Sequence, residues 1–133
     1  GNLEALKAPA IGKMNENHYL SMAGQEVFKF AIKVIPESIN AVLQKANLTL
    51  DDIDYVVCHQ ANYRIIKNVY KKMKSSEEKF YMNLQEYGNT SAASIPLALG
   101  EMDEKGLLKS GNKIICVGFG GGLTWGAVLM EWS

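Results

Sequence analysis

KIICVGFGGGLTWGAVLMEW, residues 113–132, sets two apolar runs on either side of three successive glycines, Gly120 to Gly122. KIICVGF and LTWGAVLMEW both have the β-branched and aromatic content of strands. The link between them is too short for a crossover helix, so the two runs should form an antiparallel hairpin. Working back from this hairpin, KSGN at 109–112 is a turn, and Thr90 to about Lys105 has helical spacing. Pro96 falls near the first turns of that helix and predicts a local distortion. FYMNL at 80–84 reads as a strand, residues 62–74 as a helix, and DYVVC at 54–58 as a short buried strand. Thr49 to Asp52 has the pattern of a capping box with Asp in place of Glu, which predicts a short helical turn. Val27, Phe28, Ala31, Ile32, Ile35, Ile39, Val42, Leu43 and Ala46 mark a long helix from Gly24 to about Asn47. Pro36 lies inside it and should kink or split it. Residues 1–17 show little periodicity and read as a loop or extended arm. The order of elements argues for an α/β fold, a mixed sheet with helices packed on it, ending in the antiparallel hairpin.

The 133 residues suit one domain, and 47% hydrophobic with 21% charged residues suits a globular one. Fourteen basic residues balance fourteen acidic ones. A net charge of zero gives no whole-chain argument for nucleic acid or membrane as a partner. Cys58 and Cys116 both sit in apolar runs, YVVC and IICV, and two such cysteines are no disulfide framework. A reduced, cytoplasmic setting is expected. No stretch approaches the roughly 18 apolar residues needed for a bilayer span, and no secretion signal is visible. A first residue of Gly rather than Met points to processing or to a piece of a longer chain.

Three clusters carry chemistry. In the first, Cys58 and His59 are neighbours, but adjacent residues on a strand point to opposite faces. They are therefore not expected to form a thiolate–imidazole pair, and Cys58 reads as a small core residue. His59 stands where a strand gives way to a helix, the end of an α/β sheet where ligands bind, and Gln60, Ala61 and Asn62 follow it. A structural role for a single histidine fits that spacing equally well. The second cluster is GNTSAAS, 88–94. Gly88 permits a tight turn, the small residues permit close approach, and Thr90 or Ser91 is expected to cap the helix. Asn89 then presents its amide N–H outward. In the third, GFGGGLTWG at 118–126, successive glycines leave backbone N–H groups open to an anion; a plain hairpin turn also uses glycine.

HQAN at 59–62, GNTSAAS at 88–94 and FGGGLTWG at 119–126, in that order, resemble the C-terminal half of β-ketoacyl-acyl-carrier-protein synthase III. MAGQEVFKFA at 22–31 also looks like this family. HQAN separates it from the elongating ketosynthases of the same thiolase superfamily. The resemblance implies a thiolase-like half, with the nucleophilic cysteine on an N-terminal half that this chain lacks. It implies transfer of an acyl group from acyl-CoA to that cysteine, then decarboxylative condensation with malonyl-acyl carrier protein at the start of fatty-acid synthesis. His59 and Asn89 match the donors to the thioester oxygen, Gly121 matches the backbone oxyanion donor, and Phe119 should lie against the site. Asn62 and Gly24 match positions beside the pantetheine arm, and Phe28 one at the tunnel mouth.

Arg64, Lys67, Lys71, Lys72 and Lys74 follow with no acid among them, and Arg64, Lys67 and Lys71 share a helix face. A solvated face is the plain reading. The resemblance implies docking of the acidic acyl carrier protein, which would raise the association rate. Neither a metal nor another cofactor is expected. The chain alone should be inactive, and its uncovered apolar face should drive it to a homodimer or else make it sticky. Two other readings stay open: a non-catalytic module that binds acyl carrier protein or self-associates, and a polyketide or quinolone starter synthase of the same superfamily.

Overall fold

The computed structural model describes residues 5–7 and 21–133. Its strands are β1 (Leu6–Lys7), β2 (Ser21–Met22), β3 (Tyr55–Cys58), β4 (Lys113–Gly120) and β5 (Thr124–Glu131). Its α-helices are α1 (Gly24–Ala46), α2 (Tyr63–Lys72), α3 (Leu84–Tyr87) and α4 (Ser94–Glu104). The arm expected at residues 1–17 lies outside the described residues except at 5–7. There Leu6 and Lys7 pair antiparallel with Met22 and Ser21.

β3, β4 and β5 form a three-stranded sheet in that order. β3 runs parallel to β4, from Tyr55↔Ile114 to Cys58↔Val117. β4 and β5 form the expected antiparallel hairpin, from Lys113↔Glu131 to Gly120↔Thr124. Strand periodicity sends alternate residues to two cores. Val56, Cys58, Ile115 and Val117 pack beneath α1 and α2 with Ile35, Ile39, Ile66 and Val69. Val57, Ile114 and Cys116 pack on the other face with Ala98 and Met102 of α4. The sheet is therefore the middle layer of an α/β/α arrangement, which matches the expected fold class. Both cysteines are free and buried. Among the described residues, no helix is long and apolar enough to cross a membrane.

α1 buries the stripe Val27, Ala31, Val34, Ile35, Ile39 and Leu43, and Asn47 ends it in the left-handed conformation at φ 54°. Of the two outcomes expected of Pro36, a kink or a split, the split does not occur: the helix runs through it. The proline removes the N–H that would bond the carbonyl of Ile32. Lys72 Nζ, from α2, reaches that carbonyl at a long 3.4 Å. Pro36 is buried in the packed stripe, where tertiary contacts outweigh local propensity. Pro96 is the third residue of α4, where an amide N–H has no intrahelical acceptor in any case. A 3-10 turn at Ser91–Ala93 precedes this helix.

The Thr49–Asp52 turn forms as expected, with a 3-10 turn at Leu50–Asp52. The Asp52 carboxylate accepts from the Thr49 N–H at 2.8 Å and from its hydroxyl at 2.7 Å. These bonds hold its pKa below the usual carboxylate value. Lys79 Nζ donates to the carbonyls of Leu50 (2.7 Å) and Ile53 (2.6 Å), closing the far end of the turn.

FYMNL at 80–84 is not a full strand. Phe80 makes a single parallel bridge to Val56, and Leu84 already begins α3. The cause is the buried side chain of Gln60, which takes the Tyr81 carbonyl (3.2 Å) and the Asn83 N–H (3.1 Å). Those backbone groups are then unavailable to a ladder.

Candidate functional site

Where β3 ends, the His59 N–H donates to the Val117 carbonyl at 2.8 Å, and the chain turns through Gln60 and Ala61. Asn62 then starts α2, its side-chain oxygen accepting the Arg64 N–H at 2.8 Å. This turn separates Cys58 from His59. Cys58 goes into the core under α1 and α2. There burial, with Cys116 adding a little, pushes its thiol pKa up to about 12. His59 turns toward α4, where Nδ1 lies 2.6 Å from Ser94 Oγ. The Phe119 ring meets the imidazole edge-on, with centroids 5.2 Å apart and planes at 66°. Burial lowers the His59 pKa below its usual value, which keeps the ring neutral.

Asn89 reaches the same place from the loop before α4. The side-chain oxygen of Asn89, rather than a hydroxyl of Thr90 or Ser91, binds the exposed backbone, accepting the Ser91 N–H at 3.1 Å. Ser91 there adopts φ 54°. With its oxygen engaged, the carboxamide presents its NH2 end.

His59 and Asn89 both line a concavity of about 710 Å³. Its walls include Ile95, Phe119, Gly121 and Leu123, with Leu6, Met22 and Val27 at another side. Among the described residues no Asp, Glu, Lys or Arg lines it. N–H donors in an apolar, uncharged hollow suit a developing oxyanion, because little competes with them.

The glycine run divides its work. Gly122 has φ +124°, and a Cβ there would meet Thr124 Cγ2 at 2.8 Å, so the turn itself requires this glycine. Gly120 has open space around a would-be Cβ, and the nearest atom to one at Gly121 is the Leu6 carbonyl oxygen at 3.9 Å. Both residues line the concavity, so their backbone faces it without a side chain between.

Other expected residues lie elsewhere. Gly24 opens α1 and is exposed. Phe28 packs against the core beneath α1. Neither they nor Asn62 line the concavity, whereas Val27 does. On α2, Arg64 and Lys71 are exposed, and Lys67 sits 5.2 Å over the Tyr63 ring. Lys72 is turned toward α1 by its bond to the Ile32 carbonyl.

Sequence reasoning missed Ser94 and Gln60. Ser94 is 2% exposed and Gln60 1%. Gln60 Nε2 donates to the Cys58 carbonyl (2.8 Å) and the Tyr81 carbonyl (3.2 Å), which fixes the strand end beside His59. Ser94 was one of two serines in GNTSAAS and Gln60 one of three polar residues in HQAN, so neither stood out locally.

The family model for the 3-oxoacyl-[acyl-carrier-protein (ACP)] synthase III C terminal matches residues 43–132. The chain is 61% identical over 114 residues to the β-ketoacyl-[acyl-carrier-protein] synthase III of Clostridium novyi (strain NT), covering 86% of this chain and 35% of that protein. To its namesake in Clostridium tetani (strain Massachusetts / E88) it is 58% identical over 117 residues, covering 88% of this chain and 35% of that one. The crystal structure of 3-oxoacyl-(acyl carrier protein) synthase III from Pseudomonas aeruginosa PAO1 superposes with a TM-score of 0.91 at 37% identity. That match covers 98% of this chain and 40% of the other. The chain thus spans little more than a third of the length of the curated relatives it matches. Sequence and fold agree: the chain belongs to the 3-oxoacyl-[acyl-carrier-protein] synthase III C-terminal family.

Proposed function

We propose that this chain is the C-terminal part of a condensing enzyme that joins an acyl-CoA primer to malonyl-acyl carrier protein. The observation that carries the reading is the meeting of His59 and Asn89, from two different loops, on one concavity that no charged side chain among the described residues lines. Each has its other polar atom bound by protein, to Ser94 or Ser91.

In the reaction, a cysteine on the remainder of the longer protein carries the acyl group. The malonyl group then loses carbon dioxide: its carboxylate C–C bond breaks, and the electron pair passes to the thioester as an enolate. The imidazole N–H of His59 and the carboxamide N–H of Asn89 donate to that enolate oxygen. The carbanion attacks the acyl thioester, whose oxyanion is met by the Gly121 N–H, and the cysteine thiolate leaves. No metal or organic cofactor is needed for any of these steps. Phe119, edge-on to the imidazole, fixes the ring's tilt and keeps water from that side. Arg64, Lys67 and Lys71 form the outward cationic face of α2 and offer a dock for an acidic carrier protein, speeding encounter more than tightening it. Lys72 is held toward α1 and contributes less. Exposed Leu97, Trp125 and Val128 are surfaces that the rest of the longer protein, or a second copy, would cover. The buried free thiols suit a reducing compartment.

The test is malonyl decarboxylation by the complete protein. His59→Ala and Asn89→Ala should each lower kcat by roughly 10²–10³, with the double variant losing less than the product of the two. Normal decarboxylation by His59→Ala would remove the assigned role.

A further inference from the structure

We propose that Ser94 is the positioning residue that sets the tautomer of His59: its hydroxyl donates to Nδ1, so that the ring presents Nε2–H to the concavity. Ser94 Oγ has two partners in the fold, His59 Nδ1 at 2.6 Å and the Gln60 backbone N–H at 3.3 Å. A backbone N–H can only donate, so it occupies a lone pair of the serine oxygen. Ser94 is buried, and a buried hydroxyl that donates to nothing is costly. His59 Nδ1 is the one acceptor bonded to it among the described residues. Nδ1 must then be unprotonated, and the proton of the neutral ring lies on Nε2. An imidazolium would place a second proton on Nδ1 and leave the serine hydroxyl with no acceptor. Gln60 completes the device, since its buried side chain fixes the backbone whose N–H orients Ser94. Phe119, which meets the ring edge-on, is uncharged, and no charged side chain among the described residues lines the concavity. Ser94 therefore acts on an oxyanion only through His59. The catalytic importance of the tautomer rests on the function proposed above, but the tautomer itself is read without substrate, so the two ideas fail separately.

The experiment is long-range 1H–15N correlation NMR of the chain. His18→Gln removes the other of the two histidines and leaves one imidazole to observe. The neutral ring should show a protonated Nε2 and an unprotonated Nδ1 as a single species. A protonated Nδ1, or a mixture of both forms, would overturn the proposal, and this measurement needs no change at Ser94. Ser94→Ala should raise the imidazole pKa by roughly half to one unit, the equivalent of one ordinary hydrogen bond, and introduce the second tautomer. Ser94→Thr, which keeps the hydroxyl, should return both readings toward the original. An unchanged pKa and tautomer in a folded Ser94→Ala protein would also overturn it.

Discussion

Gln60→Glu should give this protein an inverted acid response. The wild-type amide donates through Nε2 to the carbonyls of Cys58 and Tyr81, at 2.8 and 3.2 Å, while Oε1 accepts from the Asn83 N–H at 3.1 Å. Glutamate has the same shape and keeps the acceptor, but its second oxygen would set negative charge against two carbonyl oxygens. Only the protonated acid can donate there. Burial and the carbonyls both favour the neutral form, raising the folded pKa by about 2–3 units above the unfolded value near 4.3. For a raised folded pKa, stability is fully present below the unfolded value and is lost as pH rises through the folded one. The protonated acid has one O–H for two carbonyls, so the variant should trail wild type by about one hydrogen bond, roughly 1–3 kcal/mol, near pH 4, and the gap should widen by about 3–4 kcal/mol by neutral pH. With a urea m-value of about 1–3 kcal/mol/M, the midpoint gap should open by roughly 1–4 M between about pH 4 and pH 7.5. Far-UV circular dichroism at each pH measures it, and comparison with wild type cancels the titration of every other group. Gln60→Leu, which orphans all three backbone groups without a proton to gain, should lose about 3–9 kcal/mol at all pH values. An unchanged midpoint for Gln60→Glu at neutral pH would refute the claim that this amide is a committed buried donor.

Three further outcomes follow from the same structure. Burial lowers the His59 pKa, so its neutral form contributes stability above the unfolded value of about 6.5 that is lost as pH falls through the lower folded value. The melting temperature of wild type relative to His59→Gln should accordingly drop across that window. Cys58, its thiol pKa pushed up to about 12, should resist iodoacetamide in the native protein near neutral pH and react promptly once urea unfolds the chain; rapid native alkylation would contradict its burial. Lys79→Met removes two donors to the Leu50 and Ile53 carbonyls and should cost about 1–3 kcal/mol by chemical denaturation, with Lys79→Arg restoring part of it.

Much of the architecture was legible because it depends on short-range rules. The apolar stripe of α1, the β-branched run of β3, the glycine-linked hairpin and the Thr49–Asp52 turn are all decided by residues within a few positions of one another. FYMNL misled because its strand-like composition is overruled by an amide more than twenty residues upstream, at Gln60. Pro36 does not split α1 because it is buried against the rest of the core, which a propensity argument cannot see. At the site, His59, Asn89 and the glycine run stood out through their loop positions and motif order. Ser94 did not, because GNTSAAS contains two serines and only the path of α4 shows which one meets an imidazole thirty-five positions away.

The lysine that serves the Ile32 carbonyl joins two helices whose hydrogen-bond ladders are usually self-contained. At that level α1 takes its missing donor from α2, so the two should open as one cooperative unit. Fraying at the end of α2 would then register as faster amide exchange in the middle of α1, one turn around Pro36, rather than at its ends. A survey of surface lysines that ignored this link would mistake a loosened helix pair for a weakened partner site.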